Sequence, residues 1–126
     1  MKSFGIGILL MIFASMTHAD KPIGFPSSYD EAASTFNRDK DRPEFQQYLD
    51  EFLQWSNHFE LDTRNNCYSK GPEPVKLLLV ITSRGVIEPV ISNIDGPKAE
   101  CFRLSYLGRK VKPPPYEPLV IELNMK

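Results

Sequence analysis

The chain has 126 residues, with 15 Lys and Arg against 16 Asp and Glu and a formal net charge of −1. That balance offers no basic surplus for a nucleic-acid backbone or an anionic membrane surface. The length suits one small domain with a modest core, and the 2 cysteines allow at most one internal disulfide.

Met1-Lys2 and the apolar run of 13 residues from Phe4 to Met16 have the form of a secretory signal peptide. The run falls short of the roughly 20 apolar residues that a membrane-spanning helix needs. Thr17-His18-Ala19 ends on a small residue, which predicts a signal peptide over 1–19 and cleavage before Asp20. The remaining chain, 20–126, is expected to be a single domain, periplasmic or secreted, with no membrane span. Only Lys2 among the charged side chains would be lost, and no lipobox cysteine is present.

Pro22, Gly24 and Pro26 make residues 20–27 a loose lead-in. A helical segment is then expected over 28–60. Ser28-Tyr-Asp-Glu31 fits a capping box ahead of Ala32, Ala33 and Phe36, which predicts a short helix. Asn37 to Arg42 reads as a charged break. Asp41, Pro43 and Glu44 then start a longer helix, in which Phe45, Tyr48, Leu49, Phe52, Trp55 and Phe59 recur at helical spacing. This aromatic stripe is expected to cover the sheet face left open by the C-terminal helix, or to lie beside that helix; exposed, it would supply interface anchors. Asp62, Asn65 and Asn66 lead into a loop that ends at Cys67, and Gly71, Pro72 and Pro74 fix the approach to the first strand.

Val75 to Thr82 is a run of aliphatic strand formers and reads as the central strand. Ser83-Arg84-Gly85 supplies a tight connection, with Gly85 free to take positive φ. Val86 to Ser92 is a second strand, and Pro89, lacking an N–H, confines it to an edge or a bulge. Asp95 is placed to cap a helix with Pro97 in its first turn; Ala99, Phe102 and Tyr106 share one face, and Gly108 ends it. Pro113 to Pro115 hold an extended connector. Leu119, Ile121, Leu123 and Met125 then alternate with Glu122 and Asn124, the pattern of a one-sided strand. A hairpin followed by a helical return puts this last strand antiparallel beside the first. The expected fold is α+β, with a three-stranded antiparallel sheet in order 2-1-3 and an added N-terminal helical segment.

In an exported chain Cys67 and Cys101 are expected to form a disulfide. It would close a loop of about 35 residues, a stabilisation of roughly 3 to 4 kcal/mol on the chain-entropy account.

Residues 75–126, about the last half of the chain, resemble the C-terminal domain of TonB-type energy transducers and their periplasmic relatives. The likeness rests on the strand-strand-helix-strand order, the hairpin with Gly85, Cys101 within the helix and Lys112-Pro-Pro-Pro115 before the last strand. Cys67-Tyr68 ahead of the first strand, with Cys101, is similar to a two-cysteine branch of that superfamily. The resemblance implies capture of short segments of envelope proteins.

The chemical inventory offers no catalytic residues, no cofactor and no metal site. His58 is the one histidine after signal cleavage, and its only partner at helical spacing is Asp62. Glu44, Asp50, Glu51, Glu60 and Asp62 read as a solvated helix face, and Asp39-Lys-Asp41 lacks the glycine and closing glutamate of a calcium loop. What remains is binding by a sheet edge, because Pro89 blunts only the other side. The expected partner-binding residues are Tyr116, Leu119, Ile121, Glu122 and Leu123, within an open last strand that reaches Met125. The function expected is a non-enzymatic periplasmic interaction module, an adaptor or envelope-assembly factor with a protein partner in the cell envelope. The alternative is a periplasmic inhibitor or immunity protein that inserts Arg109 to Tyr116 into a toxin or cell-wall hydrolase.

Overall fold

The structure, a computed structural model, describes residues 25–126; the signal peptide expected over 1–19 and the start of the lead-in lie outside them. Helices α1 (Tyr29–Asp39) and α2 (Pro43–His58) come first, followed by a 3₁₀ turn at Cys67–Lys70. Strands β1 (Val75–Ile81) and β2 (Ile87–Ser92), helix α3 (Pro97–Tyr106) and strand β3 (Leu119–Met125) complete the chain. The strands form one antiparallel sheet in the order β2-β1-β3, the expected α+β arrangement with β1 central.

The starts of α2 and α3 share a local cause that differs from the expected side-chain cap at Asp95. The residue before a proline is pushed out of the helical region, so the boundary falls on the pre-proline residue itself. Arg42 (φ −71°, ψ 137°) precedes Pro43, Gly96 (φ 130°, ψ 170°) precedes Pro97, and neither start has a side-chain cap. In α1 the cap is of the expected kind: the Ser28 hydroxyl accepts from the Glu31 N–H at 3.2 Å. The Glu31 carboxylate reaches back one residue further than a capping box requires and accepts from the Ser27 N–H at 2.9 Å. The expected break at Asn37 to Arg42 is shorter than its charge suggested, since α1 continues through Asp39. Asp39 is buried because Arg38 grips both carboxylate oxygens, at 2.9 and 2.7 Å.

Both faces of the sheet are covered. Leu77, Leu79 and Ile81 of β1 join Phe45, Tyr48, Phe52, Phe102 and Tyr106, which places α2 and α3 side by side on one face. A hydrogen bond of 3.3 Å between the Ser56 and Tyr106 hydroxyls links those helices. Leu78 and Val80 point the other way, where Ala32 of α1 covers them together with Val120. The aromatic stripe thus lies beside the C-terminal helix, and short α1 closes the opposite face. Val120 corrects the one-sided reading of β3, because α1 makes the first half of that strand two-sided. The stripe also ends before its last aromatic: Phe59, at the C-cap of α2, is 44% exposed.

Gly85 (φ 78°) closes the turn by donating its N–H to Thr82 O at 2.9 Å. A side chain there would collide with the Val111 carbonyl oxygen, so the position needs glycine for space as well as for φ. Cys67 and Cys101 are disulfide-bonded, with Cα atoms 5.5 Å apart, tying the 3₁₀ turn to α3. Such bonds persist in oxidising compartments. Among the described residues no helix is long and apolar enough to cross a membrane.

Candidate functional site

The two edges of the sheet are treated differently by the chain. Along the start of β2, the segment after α3 adds itself as a short antiparallel partner. Gly108 N–H donates to Ile87 O at 2.7 Å, Ile87 N–H to Arg109 O at 3.0 Å, and Val111 N–H to Gly85 O at 2.7 Å, with Val86 bridged to Lys110. Further along, Pro89 sits at the register shift opposite β1, so its missing N–H faces the inner ladder, and the outward main chain of Val90 and Ser92 is not blunted by it. The β3 edge has no counterpart: among the described residues, no backbone hydrogen bond outside the ladder with β1 engages Leu119–Met125.

Alternation along β1 fixes which groups face that open edge. Asn93 N–H donates to Lys76 O, and Thr82 N–H to Val86 O, so the even-numbered residues of β1 turn their main chain toward β2. In an antiparallel ladder the odd ones then turn toward β3. Their register partners are Leu119, Ile121, Leu123 and Met125. The main-chain groups of Val120, Glu122 and Asn124 are left pointing outward, and sequence reasoning had not separated the two sets.

The expected partner-binding residues divide accordingly. Leu119 and Ile121 are fully buried and spend both side chain and main chain on the fold. Leu123 is half-buried on the core face, where it packs against the main cluster. Glu122 lies on the α1 face, partly exposed, with a carboxylate oxygen 3.8 Å from Lys76 Nζ. Tyr116 sits ahead of β3, with the Arg42 guanidinium 4.0 Å from its ring centroid. Its hydroxyl is buried without a hydrogen-bond partner. Burial, followed by the nearby Asp39 carboxylate, pushes that phenol up to about 12.

The connector leading to this edge is docked on α2. Tyr48 donates its hydroxyl to Lys112 O at 2.6 Å, and Lys112 Nζ meets Glu51 Oε1 at 2.7 Å. Burial raises the Tyr48 phenol well above its ordinary range, with Glu51 adding to the shift, which keeps it a donor. A shallow cleft of about 220 Å³ lies between α2 and the connector.

Two residues missed in the sequence fix the far end of β3. Lys98 is 1% exposed, and its ammonium donates to Glu73 O at 2.6 Å and Lys126 O at 3.3 Å. Tyr68 packs edge-on against Phe102 at 4.9 Å and donates its hydroxyl to Met125 Sδ at 3.6 Å. Neither position carries a pattern that marks it, since both contacts are made across the fold. His58 meets the edge of Phe59 at 4.9 Å, and no hydrogen bond or ion pair joins it to Asp62. Among the described residues, no three His, Cys, Asp or Glu side chains are grouped to hold a metal ion.

Comparison with known proteins finds no matching family model, no similar curated protein and no similar solved structure.

Proposed function

We propose that this chain is a non-enzymatic interaction module of the cell envelope, periplasmic in location, that captures an extended segment of an envelope protein by strand addition along β3. One observation carries the reading. The chain covers the start of its β2 edge with its own residues 108–111 and, among the described residues, leaves the outward main-chain groups of Val120, Glu122 and Asn124 without backbone partners. An added strand would take its affinity from those groups and its selectivity from the side chains beside them. The resemblance of residues 75–126 to TonB C-terminal domains points the same way. The inhibitor reading is less well supported, because Arg109 to Tyr116 is tied to β2 and α2 rather than presented as a free loop.

The test uses Glu122. A photo-crosslinker at this position in the exported protein should capture an envelope protein identifiable by mass spectrometry. Glu122→Pro removes one outward N–H without touching the ladder to β1, and edge strands tolerate such a proline. The variant is expected to fold and to lose capture, read from a second crosslinker at Asn124. A self-adduct at 122, or full capture by a folded Glu122→Pro variant, refutes strand addition.

A further inference from the structure

We propose that Tyr68 and Lys98 are positioning residues for the open edge, and that the Cys67–Cys101 disulfide, by holding them, makes the last pairing position at Asn124 depend on the oxidation state of that bond. The inference rests on the strand-capture reading for its use, but its structural content stands apart from any partner.

The open edge offers three outward positions, Val120, Glu122 and Asn124, and they are not equally secured. Val120 is buried under α1, and the first half of β3 is held on both faces. Asn124 is exposed and lies next to the end of the ladder, where β1 begins and Val75 pairs with Met125. Strand ends fray unless something outside the ladder ties them down. Here the ties come from across the fold: Tyr68 to Met125, and Lys98 to Lys126 O and Glu73 O. Lys98 thereby bridges the residues that flank β1 and β3 at their shared end.

Both ties belong to the two segments that the disulfide joins. Tyr68 follows Cys67 in the 3₁₀ turn, and Lys98 lies one helical turn before Cys101 in α3. The Lys98 ammonium is 5.6 Å from the centroid of the Tyr68 ring, so the two meet beneath the strand end. Cys101 is half-buried. A small dithiol reductant would break the S–S bond in two thiol–disulfide exchanges. Cys67 and Cys101 each gain one electron and one proton, and the reductant loses two of each as it becomes a disulfide. The turn carrying Tyr68 would then keep only non-covalent contacts with α3. Met125 and Lys126 lose their fixed support, and Asn124 its fixed position.

The test is backbone amide NMR on the protein, oxidised and then reduced with a dithiol. In the oxidised state the amides of Val120 and Asn124 should have order parameters near about 0.85, and on reduction that of Asn124 should fall below about 0.6 while Val120 stays rigid. Tyr68→Ala and Lys98→Met leave the disulfide in place, and each should loosen Asn124 in oxidised protein. An Asn124 amide that stays rigid on reduction and in both variants overturns the proposal. Collapse of the whole spectrum on reduction, with Asn124 rigid in both variants, also overturns it, because the bond would then act on global stability alone. Photo-crosslinkers at Glu122 and Asn124, whose side chains are not buried, separate this from the functional reading. Capture at 124 should fall on reduction and capture at 122 should persist, as expected for loss of one end of the slot. No capture at either position in oxidised protein defeats strand addition and leaves the NMR result to decide the coupling.

Discussion

Replacing Glu60 by glycine should make the protein more stable, and the structure gives the size of the gain. Helix α2 ends in a Schellman arrangement, with Leu61 N–H donating to Ser56 O at 3.2 Å and Glu60 N–H to Asn57 O at 3.1 Å. This geometry forces Glu60 to φ 54°, in the left-handed region. A side chain there costs about 1–2 kcal/mol. Glycine avoids that cost but loses about 0.5–1 kcal/mol more backbone freedom on folding. The difference leaves a net gain of about 0.5–1 kcal/mol, which for a domain of this size raises Tm by about 2–8 °C. Calorimetry of Glu60→Gly and Glu60→Ala separates backbone from charge, because alanine removes the exposed carboxylate but keeps the backbone penalty. An unchanged or lowered Tm for Glu60→Gly, or an equal rise for Glu60→Ala, refutes the reasoning.

Phe52 is 3% exposed with its ring 5.5 Å from Trp55, and Phe52→Ala should cost about 3–5 kcal/mol in urea unfolding; a loss under about 1 kcal/mol would place the aromatic face outside the core. Gly85→Ala should cost about 1–2 kcal/mol from the left-handed backbone alone, with the contact at Val111 O adding to it, and a neutral result in the same assay would contradict the turn geometry. The Arg38 hydrogen bonds hold the Asp39 carboxyl below its ordinary range. A depressed carboxyl stabilises fully above its unfolded value, about pH 4, and that contribution is lost as pH falls through the lower folded value. Asp39→Asn should therefore lower stability at neutral pH and flatten the loss on acidification below about pH 4, whereas a parallel pH profile would show that the ion pair is not linked to folding.

Local signals in the chain carried most of the fold. The aliphatic run at 75–81, the hairpin at Gly85 and Pro89 in the second strand each state a backbone requirement that few other conformations meet. Two cysteines on segments that pack together determined the bridge. The start of α1 was legible in its Ser28 cap and those of α2 and α3 in their prolines, but the cap expected at Asp95 did not form, because the steric effect of Pro97 on the residue before it set the boundary. The edge position of the second strand was legible, but which element covers which face was not. Periodicity says that a residue is apolar and on which side of its own element it lies, but not which element meets it. Val120 is core only because α1 crosses β3, and the start of the β2 edge is covered only because residues 108–111 return to it. Lys98 reads as an ordinary helix lysine until the fold brings two main-chain carbonyls to its ammonium. Strand identity and order follow from short-range sterics and hydrophobic pattern, which the sequence by itself determines. Which edge stays open is set by long-range packing, and only the tertiary structure decides that.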